Sequence, residues 1–156
     1  MTKSPRIIDP ASHAPVLNEI AAAVGKANAD GAIPSTTAAL VHLRIGQLLG
    51  STYFTARILG EAGDTPERLN AVATWREAPY FTEAERAALA LAEAVHTPNP
   101  TGERVPDDLF DEVAKHYDTH QIVTLITVMG QIGFFMPLAL IGRPKPGVSF
   151  AEQWQE

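Results

Sequence analysis

Residues 122–141, IVTLITVMGQIGFFMPLALI, run for twenty positions without a charged side chain. A helix of that composition is either wrapped by protein or long enough to cross a bilayer. Thr124, Thr127, Gln131 and Pro137 interrupt the run, so a wrapped helix is expected and no membrane partner. The other residues must then build its walls. At 156 residues, 46% hydrophobic and 19% charged, the chain has the composition of a soluble globular domain. Such a length buries about 70% of the unfolded surface.

Start and stop signals divide the rest into helices. Pro15 opens a helical stripe of Val16, Leu17, Ile20, Ala21 and Val24, after an arm that Pro5 and Pro10 keep irregular. Ser35 is a candidate cap for the next helix. Asp64-Thr65-Pro66-Glu67 is a helix start, Thr82 with Glu85 forms a capping box, and Asp118 with Gln121 forms another. Pro106 begins a helix with Leu109, Phe110 and Val113 inward. No strand alternation or hairpin dipeptide occurs. The fold class is all-α, with about six to seven helices in one domain. Residues 1–34 form an arm and first helix, 35–142 a helical core, and 143–156 an extended tail carrying Phe150 and Trp154 toward a neighbour.

Several functions are excluded or disfavoured early. There is no cysteine, so disulfides, thiolate catalysis and thiolate metal sites are impossible. A net charge of −6 without a Lys/Arg cluster leaves no nucleic-acid footprint. No apolar leader stretch follows the initial residues, and a cytoplasmic location is expected. His116 and His120 stand four apart, but Asp118 breaks the helix between them, so no metal site is expected.

Residues 36–62, TTAALVHLRIGQLLGSTYFTARILGEA, pair two helical patterns across Gly50, with Ser51 as a cap for the second. Within them Leu43-Arg44, Gln47, Gly50 and Tyr53 stand in a fixed register. Trp75-Arg76-Glu77 and Phe81-Thr82-x-x-Glu85-Arg86 follow, then His116-Tyr117-Asp118. This series resembles the carboxymuconolactone decarboxylase family, especially its alkylhydroperoxidase D-like (AhpD-like) branch, over about residues 35–142. The resemblance implies a helical bundle that forms a homo-oligomer: a trimer, a hexamer or a dimer. The alanine-rich helix after Thr82 and the apolar helix after Asp118 would supply the interface.

The same resemblance shows what is missing. The branch carries a redox centre of Glu, two Cys and His, spaced Glu-x11-Cys-x-x-Cys-x3-His. Here those positions hold Ala39, Ser51, Phe54 and Ile58. Disulfide-forming peroxidase chemistry cannot occur. The pocket inherited from such relatives would instead be largely apolar, lined by Ala39, Ser51, Phe54 and Ile58.

Four residues remain candidates for chemistry. His42, one turn after Ala39, could act as acid or base. Ser51 could be a nucleophile, but it has no matched base, and capping accounts for it. Tyr53 can donate a hydrogen bond, and Arg44 can bind a charge. Trp75, Arg76 and Glu77 are expected to be structural, the Arg side chains tying helices together. No cofactor is expected. Three functions follow: binding of a small, largely apolar molecule; a cofactor-independent lyase or decarboxylase acting on a small organic acid or lactone; and a non-catalytic partner of an active paralogue.

Overall fold

The computed structural model describes residues 4–100 and 102–154; the Trp154 side chain, expected against a neighbour, lies outside them. Among the described residues there are eight α-helices and no strand. In chain order they are α1 (Pro10–His13), α2 (Val16–Asn28), α3 (Ser35–Leu48), α4 (Thr52–Glu61), α5 (Pro66–Ala71), α6 (Glu83–His96), α7 (Asp107–Ala114) and α8 (Thr119–Gly142).

Local chemistry accounts for most of these boundaries. Thr82 and Glu85 close a reciprocal capping box at α6, and Asp118 and Gln121 close one at α8. Thr65 caps α5 through the Arg68 amide at 3.3 Å. Two expectations are corrected. The one-turn helix α1 forms inside the arm because Pro10 stands where no amide donor is needed, and Asp9 accepts from the Ser12 amide. Ser35 does not cap α3: Pro34 takes the cap position, and no side-chain cap bond is made.

The hub is α3, against which α4, α6 and α8 all pack. It is apolar on two faces. Leu40 and Leu43 join Leu69, Val72, Trp75, Phe81 and Leu89 in one cluster. Val41 and Ile45 join Phe54, Leu91, Val113, Leu125, Val128 and Ile132 in the other. A helix with two buried faces must be surrounded, and α3 is. Gly46 lets α4 approach closely, since a Cβ there would lie 3.3 Å from Thr55 Cγ2 and 3.4 Å from Phe54 Cβ. Gly50 turns the chain between the two helices at φ +70°, a conformation glycine adopts without strain.

Helix α8 is long and apolar enough to cross a membrane. One face is core: Leu125, Val128, Met129, Ile132 and Met136 are buried. The other exposes Val123, Ile126, Phe134, Leu140 and Ile141, so burial on all faces is not what this chain achieves alone. On the alanine-rich α6, Ala87, Ala88, Leu89, Leu91 and Ala92 are buried within the chain. Phe110 is exposed on α7 rather than inward.

A buried carboxylate fixes the crossing of α3 and α6. Glu93 Oε1 accepts from Arg44 Nε at 2.7 Å and from Trp75 Nε1 at 2.9 Å, while Oε2 accepts from Arg76. Burial pushes the Glu93 carboxyl up, but the bonds from Trp75, Arg76 and Arg44 outweigh it, and the group sits below the ordinary glutamate range. Arg44 and Arg76 are structural through Glu93, whereas Glu77 is exposed. Arg86 completes the clamp by donating to the carbonyls of Trp75 and Ala78.

A lowered folded value means that stability from Glu93 is present above the unfolded glutamate value of about 4.3 and is lost as pH falls through the folded one. Glu93→Gln leaves the half-buried Arg44 without its charge partner and is expected to cost about 2 kcal/mol at neutral pH. In urea titrations the gap between wild type and variant should close below about pH 4. A gap constant with pH would refute this role for the carboxylate.

Candidate functional site

A cavity of about 710 Å³ opens beside the α3–α4 crossing. That volume lies within the range of small-molecule sites, about 300–1,000 Å³. Helix geometry explains the α4 contribution: Phe54, Arg57, Ile58 and Glu61 are three, four and seven residues apart and share a face. α3 adds His42, and α8 adds Gln131, Ile132, Phe135 and Leu138. The α1–α2 side brings Asp9, Leu17, Asn18 and Ala21. The C-terminal segment closes the remaining side with Ser149, Phe150 and Ala151. This segment is not extended: it turns at residues 146–148 and ends in a 3₁₀ turn, Glu152–Trp154. Its Phe150 ring lies 4.7 Å from the Tyr53 ring and 6.4 Å from that of Phe135.

Of the residues singled out from sequence, His42, Phe54 and Ile58 line the cavity. Ala39, Ser51, Tyr53 and Arg44 are not among its lining residues. Ser51 is buried, and its Oγ accepts the Phe54 amide at 3.3 Å, which is a cap's work. Arg44 is committed to Glu93 and, at 3.3 Å, to Gln47. Tyr53 is buried behind Phe54 and Phe150. Its hydroxyl lies near Arg57 and the Phe150 backbone but closes no hydrogen bond of good geometry. Burial raises its pKa, so the phenol stays protonated.

His42 is held in one tautomer. Its Nε2 lies 2.7 Å from the Val128 carbonyl, which can only accept, so Nε2 carries the proton. Burial lowers the imidazole pKa and the Arg57 charge acts the same way, while the Val128 bond opposes them. The ring is therefore neutral at physiological pH, and Nδ1 is an acceptor. Arg57 pairs with Glu61, its Nε 3.2 Å from each carboxylate oxygen. Gln131 Oε1 accepts from Asn28 at 2.8 Å, leaving the Gln131 amide as a donor.

Sequence reasoning did not place Arg57 and Glu61 in the pocket. Their positions, three and seven beyond Phe54, were the available signal. Phe150, Gln131 and Asp9 reach the cavity from distant segments and had no such signal.

A profile of the carboxymuconolactone decarboxylase family matches residues 15–94. The chain is 33% identical over 103 residues to the uncharacterized protein YdfG of Bacillus subtilis (strain 168), covering 64% of this chain and 69% of that protein. It is 34% identical over 94 residues to the uncharacterized protein YnjA of Escherichia coli (strain K12), covering 58% of this chain and 50% of that protein. Among solved structures it resembles ATU0492 of Agrobacterium tumefaciens, a protein of unknown function suggested to be the antioxidant defence protein AhpD. The TM-score is 0.82 at 26% identity, over 94% of this chain and 100% of that one. The debrominase Bmp8, without ligand, superposes with a TM-score of 0.75 at 20% identity, over 86% of this chain and 73% of that one. This second likeness concerns the fold alone.

The unpaired Tyr53 hydroxyl yields a stability prediction. Removing a buried group that makes no hydrogen bond relieves its desolvation, so Tyr53→Phe is expected to stabilise the fold by about 1 kcal/mol in urea unfolding. A loss of 1 kcal/mol or so would show that the hydroxyl is bonded after all.

Proposed function

The chain belongs to the carboxymuconolactone decarboxylase family, and from that premise we propose that it binds a small, largely apolar organic molecule in the cavity beside His42. Without cysteine it carries no thiol peroxidase chemistry. The observation that carries the binding reading is the lining itself. Phe54 and Ile58 occupy two of the positions that are reactive in AhpD-like relatives and give the cavity apolar wall. Ile132, Phe135, Leu138 and Phe150 extend that wall. His42 is the sole imidazole among the lining residues. A proton relay of the kind the redox branch uses needs an acid beside the imidazole, and the matched position holds Ala39.

The environment-sensitive dye Nile red, which is uncharged, tests this reading. Saturable binding with enhanced, blue-shifted emission is expected for wild type. Ala21→Trp fills the cavity from an exposed position on α2, where the fold tolerates a larger side chain, and should weaken binding at least about tenfold. No saturable binding, or binding indifferent to Ala21→Trp, would count against a ligand cavity.

The reading extends to a cytoplasmic homo-oligomer. The exposed apolar face of α8 bears Val123, Ile126, Phe134, Leu140 and Ile141, and it supports self-association through that helix. Light scattering at micromolar concentration should give a mass above the 16.8 kDa of one chain, and Ile126→Arg should lower it. A monomer mass for wild type would refute the assembly.

A further inference from the structure

We infer that the cavity, taken as the ligand site proposed above, selects a neutral molecule: an apolar body with one hydroxyl or N–H donor for His42 Nδ1 and one carbonyl or ether oxygen for Arg57, in preference to a carboxylate. The inference rests on the binding reading and adds the chemistry of the ligand's polar groups.

His42 spends its only proton on the Val128 carbonyl at 2.7 Å, so the nitrogen left over can only accept. A ligand that uses it must donate. Arg57 commits Nε to Glu61, at 3.2 Å from both oxygens, and its guanidinium also lies against the Tyr53 hydroxyl; the N–H groups beyond those contacts can only donate. A ligand that uses them must accept. The Gln131 amide is also a donor, because its oxygen is taken by Asn28 at 2.8 Å. The His42 acceptor therefore faces the Arg57 and Gln131 donors across an apolar interior, which matches a molecule carrying both a hydroxyl and a carbonyl or ether.

Charge then decides between neutral and anionic ligands. Among the described residues, Asp9 and Glu61 line the cavity against a single cation, Arg57. Glu152 on the tail, its pKa lowered mainly by hydrogen bonds from Ser149, lies near enough to Arg57 for the guanidinium to help lower it. His42 is uncharged, so an entering anion meets more negative than positive charge, on a chain whose net charge is −6.

Two probes sharing one hydroxyphenyl ring test this by calorimetric titration at neutral pH: methyl 4-hydroxybenzoate and 4-hydroxybenzoate. The ester is expected to bind at least about tenfold more tightly than the benzoate, the scale of a like charge several ångströms away at an effective dielectric of about 20. His42→Phe and Arg57→Met should each weaken the ester about threefold to tenfold, the value of one hydrogen bond. Glu61→Gln should narrow the gap between ester and benzoate. Nile red binding by each variant reports that the cavity is intact. Equal or tighter binding of the benzoate overturns the inference. So does ester affinity unmoved by both His42→Phe and Arg57→Met, or no binding of any probe while Nile red still binds. Loss of Nile red binding by wild type would instead overturn the binding reading and this inference with it.

Discussion

The Glu93 carboxylate is the interaction on which the remaining architecture depends. It sits on α6 and takes donors from α3 through Arg44 and from the segment before α6 through Trp75 and Arg76. Three donors on two oxygens offset the burial of the charge, and they do so in one geometry only. Apolar contacts between α3 and α6 are tolerant of sliding, since leucine and alanine faces can repack with modest loss. The carboxylate removes that freedom. It sets the crossing of the two helices, and with it the direction in which the far side of α3 points.

That far side carries His42. With α3 oriented by Glu93 and α4 drawn against it at Gly46, the α4 face bearing Phe54, Arg57, Ile58 and Glu61 has one place to go. It forms one wall of a cavity whose opposite wall is α8. The bond from His42 to the Val128 carbonyl crosses between α3 and α8 at the cavity edge. It fixes the spacing of those walls and the tautomer of the imidazole together. A structural contact thus determines which hydrogen-bonding character the site presents.

The fold was legible wherever its chemistry is local. The capping boxes at Thr82–Glu85 and Asp118–Gln121 and the turn at Gly50 depend on residues within one helical turn. The register of Leu43-Arg44, Gln47, Gly50 and Tyr53 carried the helix pair. The Glu93 clamp was not legible, because its partners stand 17, 18 and 49 residues away and an alanine-rich helix gives no hint that one glutamate points inward. Arg76 was instead grouped with its neighbour Glu77. The tail misled for a related reason: Pro144 and Pro146 exclude helix but leave turns open, and docking of Phe150 on Tyr53 is decided by a surface far away in sequence. The exposed side of α8 was hidden by a composition that is apolar on all faces, since periodicity carries no information when every position is alike.

The replacement of reactive residues along α4 follows the same helical arithmetic. Positions 51, 54 and 58 fall on one face, so exchanging their side chains converts that face as a unit. Ser51 keeps only the backbone task of starting the helix, and Phe54 and Ile58 become wall. Arg57 and Glu61 share the face but stood outside the redox set, and they now supply most of the polarity α4 offers the cavity. Their mutual pairing leaves little free charge, while His42 is neutral and already spends its proton on Val128. A site built this way retains shape and directional hydrogen bonding, the two properties on which the proposed recognition of an uncharged ligand draws.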